Sequence, residues 1–189
     1  MDIKRINFIK IDVEGAELDV IFGAEQLLKK GKIDYLQFEY GGTYLDAKTT
    51  LKQVFEYLQS MKYLIFKILD DKLEYKPQFL PEYENYKYSN FLAVNERFKA
   101  KILGEKIQMF DLQVLCEKYS VKVKGIIHVG AHEGKELKKY QEMGVEKVLF
   151  IEANPVVFES LKSKIAKAPN VAAVNLSLIH ISEPTRQKP

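Results

Sequence analysis

One cysteine, Cys116, and no tryptophan occur in 189 residues. A single thiol cannot close an internal disulfide, so the fold must rest on a packed core, and the chain suits a reducing cytoplasm. No apolar run is long enough to cross a bilayer, and the first residues lack the charged-then-apolar pattern of a signal peptide. A net charge of +3 is too small and too dispersed for a nucleic-acid surface; solvated faces account for the lysines. What is there is ordinary for a soluble globular protein: 47% hydrophobic and 29% charged residues. The length suits one domain with a real core and at most a small appendage.

The stretch from Gly125 to Pro155 organises the rest. A short apolar run, Ile126 to Val129, reaches a turn carrying Gly130 and Gly134, and a polar helical stretch follows from Lys135 and stops at Gly144. A second apolar run, Val148 to Ile151, ends on Glu152. Strand, glycine turn, helix, strand and acid is the arrangement that holds an adenosine-containing cofactor. Glycines let the backbone approach a ligand closely. The acid, about twenty residues beyond the turn, stands where it can accept hydrogen bonds from ribose hydroxyls.

From the start of the chain, Ile6 to Ile11 reads as a buried strand ending in Asp12-Val13-Glu14-Gly15, and Ala16 to Lys30 as a helix with Leu18, Ile21, Phe22 and Leu28 near one face. Gly31 stops it. Ile33 to Phe38 is a second strand, followed by Glu39, and Thr49 to Met61 an amphipathic helix. Tyr63 to Ile68 is a third strand, turning at Asp70-Asp71. Leu73 to Tyr88, broken by Pro77 and Pro81, reads as a long loop, and Phe91 to Val94 as a short strand that could close an antiparallel hairpin at the sheet edge. Asn95 to Lys106 reads as a linker. Leu112, Leu115, Cys116 and Tyr119 fall at helical spacing behind Asp111, a suitable N-cap. Asn154 and Pro155 open a helix with Val157, Phe158, Leu161 and Ile165 inward, and Val171 to Leu176 is a last strand. Alternating strands and helices argue for parallel crossover units. If the strands are parallel, Gly130, Glu152, Asp12 and Glu39 lie along one rim, where open α/β sheets bind ligands.

Both parts of this chain resemble the FkbM family of S-adenosylmethionine-dependent methyltransferases. IIHVGAHEGKE with VLFIEANPVVFESLK resembles the start of that family's domain; INFIKIDVEGAELDVIFGAEQLL with YLQFEY resembles its second half. The halves stand in reversed order. The resemblance therefore implies an α/β, Rossmann-like class I methyltransferase sheet, mostly parallel, helices on both faces, circularly permuted or cut from a tandem array. Residues 1–98 resemble the C-terminal half and 99–175 bring linker, helix and the N-terminal cofactor-binding half, the two closing into one domain. LSLIHISEPTR, from Leu176 to Arg186, resembles the in-frame translation of a sequencing-library adapter; residues 176–189, with His180, are set aside as a non-native tail. The family's connection between the strands resembling Val171 to Asn175 and Ile6 to Ile11 is missing, and part of the adenine pocket and acceptor site usually lies there.

The resemblance implies S-adenosylmethionine as cofactor, held by Gly130, Ala131, Gly134, Glu152, Ala153 and Asn154. The G-x-x-x-G spacing lacks the second close-approach glycine of the dinucleotide pattern, which disfavours a pyrophosphate. Asp12 and Glu14 lie where methyl group and acceptor would meet, and a carboxylate there can take a hydroxyl proton or align the oxygen; the plainer reading of Glu14-Gly15 is a helix-start feature. Glu39 and Tyr40 are the substrate-side candidates. Tyr75, Tyr83, Tyr86 and Tyr88 can form an aromatic wall or merely anchor their loop. His128 stands where the family has an acid; it and His132 fall on a strand and a turn and share no helical face, so no metal site is expected. Cys116 reads as core. Three functions stay open: O-methylation of a hydroxyl-bearing glycan or natural product, a non-catalytic fragment keeping the fold, and an NAD-dependent oxidoreductase. The expected partner is a small molecule or glycan, with neither nucleic acid nor membrane, and the oligomeric state is undetermined.

Overall fold

A computed structural model describes residues 4–70, 72–103 and 122–176. Eight strands form one sheet: β1 (Ile6–Ile11), β2 (Ile33–Tyr40), β3 (Tyr63–Ile68), β4 (Leu73–Lys76), β5 (Ser89–Asn95), β6 (Gly125–Val129), β7 (Lys147–Glu152) and β8 (Val171–Asn175), in the order β4-β3-β5-β2-β1-β6-β7-β8. The run β2-β1-β6-β7-β8 is parallel throughout, while β5 is antiparallel to β2 and β3, and β4 to β3. The fold is thus α/β with a mostly parallel sheet. Counted cyclically from β6, and leaving out the edge strand β4, the order reads 3-2-1-4-5-7-6. That is the doubly wound order 3-2-1-4-5-6 with one antiparallel strand slipped in before the last.

Helices cover both faces. The first face carries α1 (Glu17–Gly23), α2 (Glu25–Lys29), a single turn α3 (Thr43–Asp46) and α4 (Leu51–Ser60); Leu18, Ile21, Leu28, Val54 and Phe55 pack there on Ile11, Leu36 and Phe38. The second face carries α5 (Lys99–Leu103), α6 (Leu137–Glu142) and α7 (Pro155–Ile165), with Ile102, Tyr140, Leu161 and Ile165 on Phe8, Ile126 and Phe150. The crossovers out of β6 and out of β1 therefore lie on opposite faces. Their shared boundary is the switch point of the sheet.

Several elements depart from the sequence expectation. The helix expected over 16–30 is two, broken at Ala24 where Gly23 ends the first, and Phe22 lies 46% exposed, edge-on to Tyr57. β5 is not an edge strand. Phe91 to Val94 are at most 2% exposed, and a strand apolar on both faces is stable only between two neighbours. The true edge is β4, inside the stretch read as loop. Its Glu74 and Lys76 form an ion pair, the charged finish typical of an exposed edge. The expected linker is folded from Glu96 to Leu103: Phe98 stacks on Tyr35 at 5.2 Å, and Arg97 joins Arg5 and Asn7 around the buried Asp34 carboxylate. The helix expected around Leu112 to Tyr119, with Asp111 and Cys116, lies outside the described residues, as does the tail beyond Leu176.

The loop after β4 is pinned rather than free. Glu84 accepts from the Leu51 and Lys52 backbone amides, closing the N-terminus of α4 beside a Thr50–Gln53 capping box. Tyr40 donates to the same carboxylate at 3.1 Å and accepts from the Tyr86 amide at 2.7 Å. Glu84→Ala removes a charged cap and its hydroxyl partner together. Urea denaturation should show a loss of about 2 kcal/mol, with the slope unchanged.

Candidate functional site

The rim at the carboxyl ends of β6, β1 and β7 encloses a cavity of about 440 Å³. Its walls are Asp12, Val13 and Glu14 after β1, Gly130 and His132 after β6, and Glu152 and Ala153 at the end of β7, with Val129, Ile151 and Leu176 below. Of the expected cofactor residues, Gly130, Glu152 and Ala153 line it directly. Ala131 is 2% exposed, and Gly134 packs against the second-face core. Asn154 caps α7, its side chain accepting from the Val156 and Val157 amides.

The turn glycines are also required by the protein's own packing. A Cβ on Gly130, whose φ is +76°, would stand 1.7 Å from the Asp12 carbonyl oxygen. A Cβ on Gly134 would meet Leu161 Cδ1 at 2.6 Å. These residues thus admit the protein's own backbone and core before any ligand. At Gly15, with φ +105°, a Cβ would press on the Thr43 carbonyl at 2.7 Å, which fixes the Asp12–Gly15 turn against the end of β2.

Nor are the turn amides free. Gly130 and Ala131 both donate to the Ile151 carbonyl, and Gly134 donates to that of Ala131. Glu152 accepts from the His132 amide at 2.7 Å through one oxygen and from the Asn154 amide at 2.8 Å through the other. A carboxylate has about four acceptor positions, so Glu152 keeps lone pairs for a diol while holding the turn to β7.

Acids converge on the other side of the cavity. Carboxylate oxygens of Asp12, Glu14 and Glu39 lie within 4.8 Å of one another, a spacing at which they could share a cation. Burial, with Asp12 and Glu14 beside it, raises the Glu39 carboxyl above its ordinary range, while a hydrogen bond from Tyr88 works the other way. Glu39 is itself part of β2, opposite Asn90, rather than beyond the strand. Tyr40 is 1% exposed with its hydroxyl occupied by Glu84 and Tyr86; it braces the rim from inside and does not reach its surface. Tyr83 and Tyr86 likewise pack on the core, and Tyr75 on Phe66, whereas Tyr88 is 69% exposed.

Two supports, Glu17 and Lys10, were not singled out from the sequence. Glu17 is 1% exposed and accepts from the Val13 and Gly15 amides, so it shapes the acidic turn from below. Burial pushes it up to about 7 despite those two bonds. Lys10 reaches Asp12 at 3.0 Å and Glu136 at 3.1 Å, tying the acidic rim to the start of α6. The signal for it was its place two residues before Asp12, hence on the same strand face. Beside Lys10 in register lies His128, 1% exposed, its Nδ1 3.2 Å from the Tyr140 hydroxyl and its Nε2 without a partner among the described residues. Burial, reinforced by the Lys10 ammonium, pushes this imidazole down to about 4. His132, by contrast, faces the cavity from the turn.

The sequence profile described as the Methyltransferase FkbM domain matches residues 1–65, from the start of the chain into β3. No curated protein and no solved structure matches the chain. Among the described residues no helix is long and apolar enough to cross a membrane.

Neutral His128 contributes stability that is complete above its unfolded value near 6.5 and is lost as pH falls from there toward 4. The loss amounts to roughly 3 kcal/mol. Glu17, raised instead, favours the fold below 4.5 and loses that contribution as pH climbs through about 7. His128→Asn keeps an acceptor for Tyr140 and leaves Glu17 in place. From pH 7.5 to 4.5 the urea midpoint of the variant should therefore rise relative to that of the wild type, which loses the His128 contribution over this range.

Proposed function

We propose that this chain is an S-adenosylmethionine-dependent methyltransferase domain that acts on the oxygen of a hydroxyl-bearing acceptor. One observation carries the reading. The switch-point cavity presents Asp12, Glu14 and Glu152, and among the described residues no lysine or arginine lines it. That lining suits a cationic sulfonium ligand carrying a ribose and opposes a pyrophosphate. The turn amides that would cradle phosphates are bonded to Ile151 and Ala131 instead, which speaks against an NAD-dependent oxidoreductase.

In this reading Glu152 receives the ribose hydroxyls through its remaining lone pairs, with Ala153 and the Gly130 turn forming the floor. When bound, the cofactor supplies a methyl group on positively charged sulfur. Asp12, one oxygen held by Lys10, presents its carboxylate toward the acceptor and takes the hydroxyl proton; Glu14 and Glu39 align the oxygen for in-line attack. The reversed order of the two halves fits a circular permutant of the family domain, and the cyclic strand order supports it. A second reading, a fragment that keeps the fold without activity, draws on one feature. An apolar hollow of about 200 Å³ opens beside the cavity, sharing Val129, Ile151 and Leu176 with it and bounded further by Leu27, and it leaves apolar surface uncovered next to the site.

Calorimetric titration with S-adenosylhomocysteine and with NAD separates these readings. S-adenosylhomocysteine should bind and NAD should not; the reverse would end the methyltransferase proposal, and binding of neither would favour the fragment. Glu152→Ala should weaken S-adenosylhomocysteine at least a hundredfold. Asp12→Ala should leave that affinity within about threefold and abolish transfer of labelled methyl to hydroxylated acceptors.

A further inference from the structure

The rim does not end at Glu39. Past it, on the antiparallel half of the sheet, a groove of about 580 Å³ runs between the end of β3 and the start of β5, lined by Lys67, Asp70, Tyr88, Ser89 and Asn90 among others. Side-chain hydrogen bonds lead from the strands to its tyrosine wall: Gln37 Nε2 donates to Asn90 Oδ1 at 3.2 Å and Asn90 Nδ2 donates to Tyr88 Oη at 3.1 Å. Glu39, opposite Asn90 in the β2–β5 ladder, lies close enough to the Tyr88 hydroxyl for each to perturb the other's titration.

Tyr88 is costly where it stands. It is 69% exposed and gains little from burial, while the hydrogen bond from Asn90 restrains its hydroxyl at a cost in side-chain entropy. The backbone before it is fixed as well, since the Tyr86 amide donates to the buried Tyr40 hydroxyl. An exposed ring face beside a groove is a surface on which the apolar face of a ligand can lie.

We propose that this groove is the acceptor subsite, with Tyr88 as its wall and the Gln37–Asn90–Tyr88 relay positioning Glu39 toward the acceptor hydroxyl. The placement rests on the methyltransferase reading above. The lining selects the ligand class: Lys67 and Asp70 offset each other in charge, Ser89 and Asn90 are side chains that both donate and accept, and the ring offers a flat apolar face. A neutral, polyhydroxylated ring compound with one C–H face meets all three conditions.

The test uses the intact chain saturated with S-adenosylhomocysteine, and methyl α-D-mannopyranoside and methyl β-D-galactopyranoside as probes in saturation-transfer NMR. At least one glycoside should receive saturation on its ring C–H protons. Its affinity should drop at least tenfold in Tyr88→Ala, an exposed position where folding is not at stake, and stay within threefold in Tyr88→Phe, which keeps the ring. Carboxyl-carbon NMR of ¹³C-glutamate should show Glu39 titrating higher in Tyr88→Phe, because its donor is gone. Failure of both glycosides to bind the wild type, or equal binding by Tyr88→Ala, overturns the subsite. An unmoved Glu39 titration overturns the relay. Glycoside binding that depends on Tyr88 without any S-adenosylhomocysteine binding upholds the subsite and overturns the methyltransferase reading.

Discussion

Everything at the site depends on how closely β1 approaches β6. The two strands pair in parallel from Phe8–Ile126 to Ile11–Val129, and the Asp12 amide continues the ladder to the Val129 carbonyl. At that point the chain on the β6 side must turn away, and only a residue without a Cβ fits beside the Asp12 carbonyl. Gly130 is that residue. The seam joins segments far apart in sequence, and it is where the crossovers diverge to opposite faces. A cavity opens there because two backbones part company, not because side chains are carved away.

The seam is reinforced by charge. Lys10 sits between Asp12 and Glu136, both near enough to hold its ammonium, and so links the acidic rim to the helix behind the glycine turn. Asn7 accepts from the Lys124 amide at the opposite end of the same pair of strands. Glu17 and Glu152 do corresponding work on either side, each using both carboxylate oxygens to fix backbone amides of a rim turn. Such bonds are worth about 1.5–3 kcal/mol each when the partner is charged. Their larger effect is to give the cavity a fixed shape before any ligand arrives, which is what in-line chemistry at a single atom requires.

The antiparallel strands give the rim a second half of different character. In the parallel part, strand ends deliver acids and a glycine turn; across β2, β5 and β3 the rim carries amides, a lysine and an ordered tyrosine. The loop that brings Tyr88 there is irregular, yet Glu84 and Tyr40 anchor it to α4 and to the core. Glu39 stands between the two halves of the rim, its carboxylate within 4.8 Å of those of Asp12 and Glu14 and its backbone opposite Asn90.

Much of this was legible in local pattern. Apolar runs located β1, β2, β3, β6 and β7, the capping residue Asn154 opened its helix as expected, and the acid and glycine positions marked the rim, because strand and helix periodicity and turn chemistry act over a few residues. Other features had no local signature. That β5 lies inside the sheet, that Leu73–Lys76 forms its edge, that Tyr40 points into the core while Tyr88 stays outside, and that Gly130 makes room for Asp12 all depend on contacts between residues distant in the chain. The sequence by itself determined most of the strands and longer helices and where acids follow strands, since those follow from side-chain size and spacing. Only the tertiary structure decided which strands are neighbours, and therefore which carboxylates share a cavity, because pairing is set by burying both faces of a sheet at once.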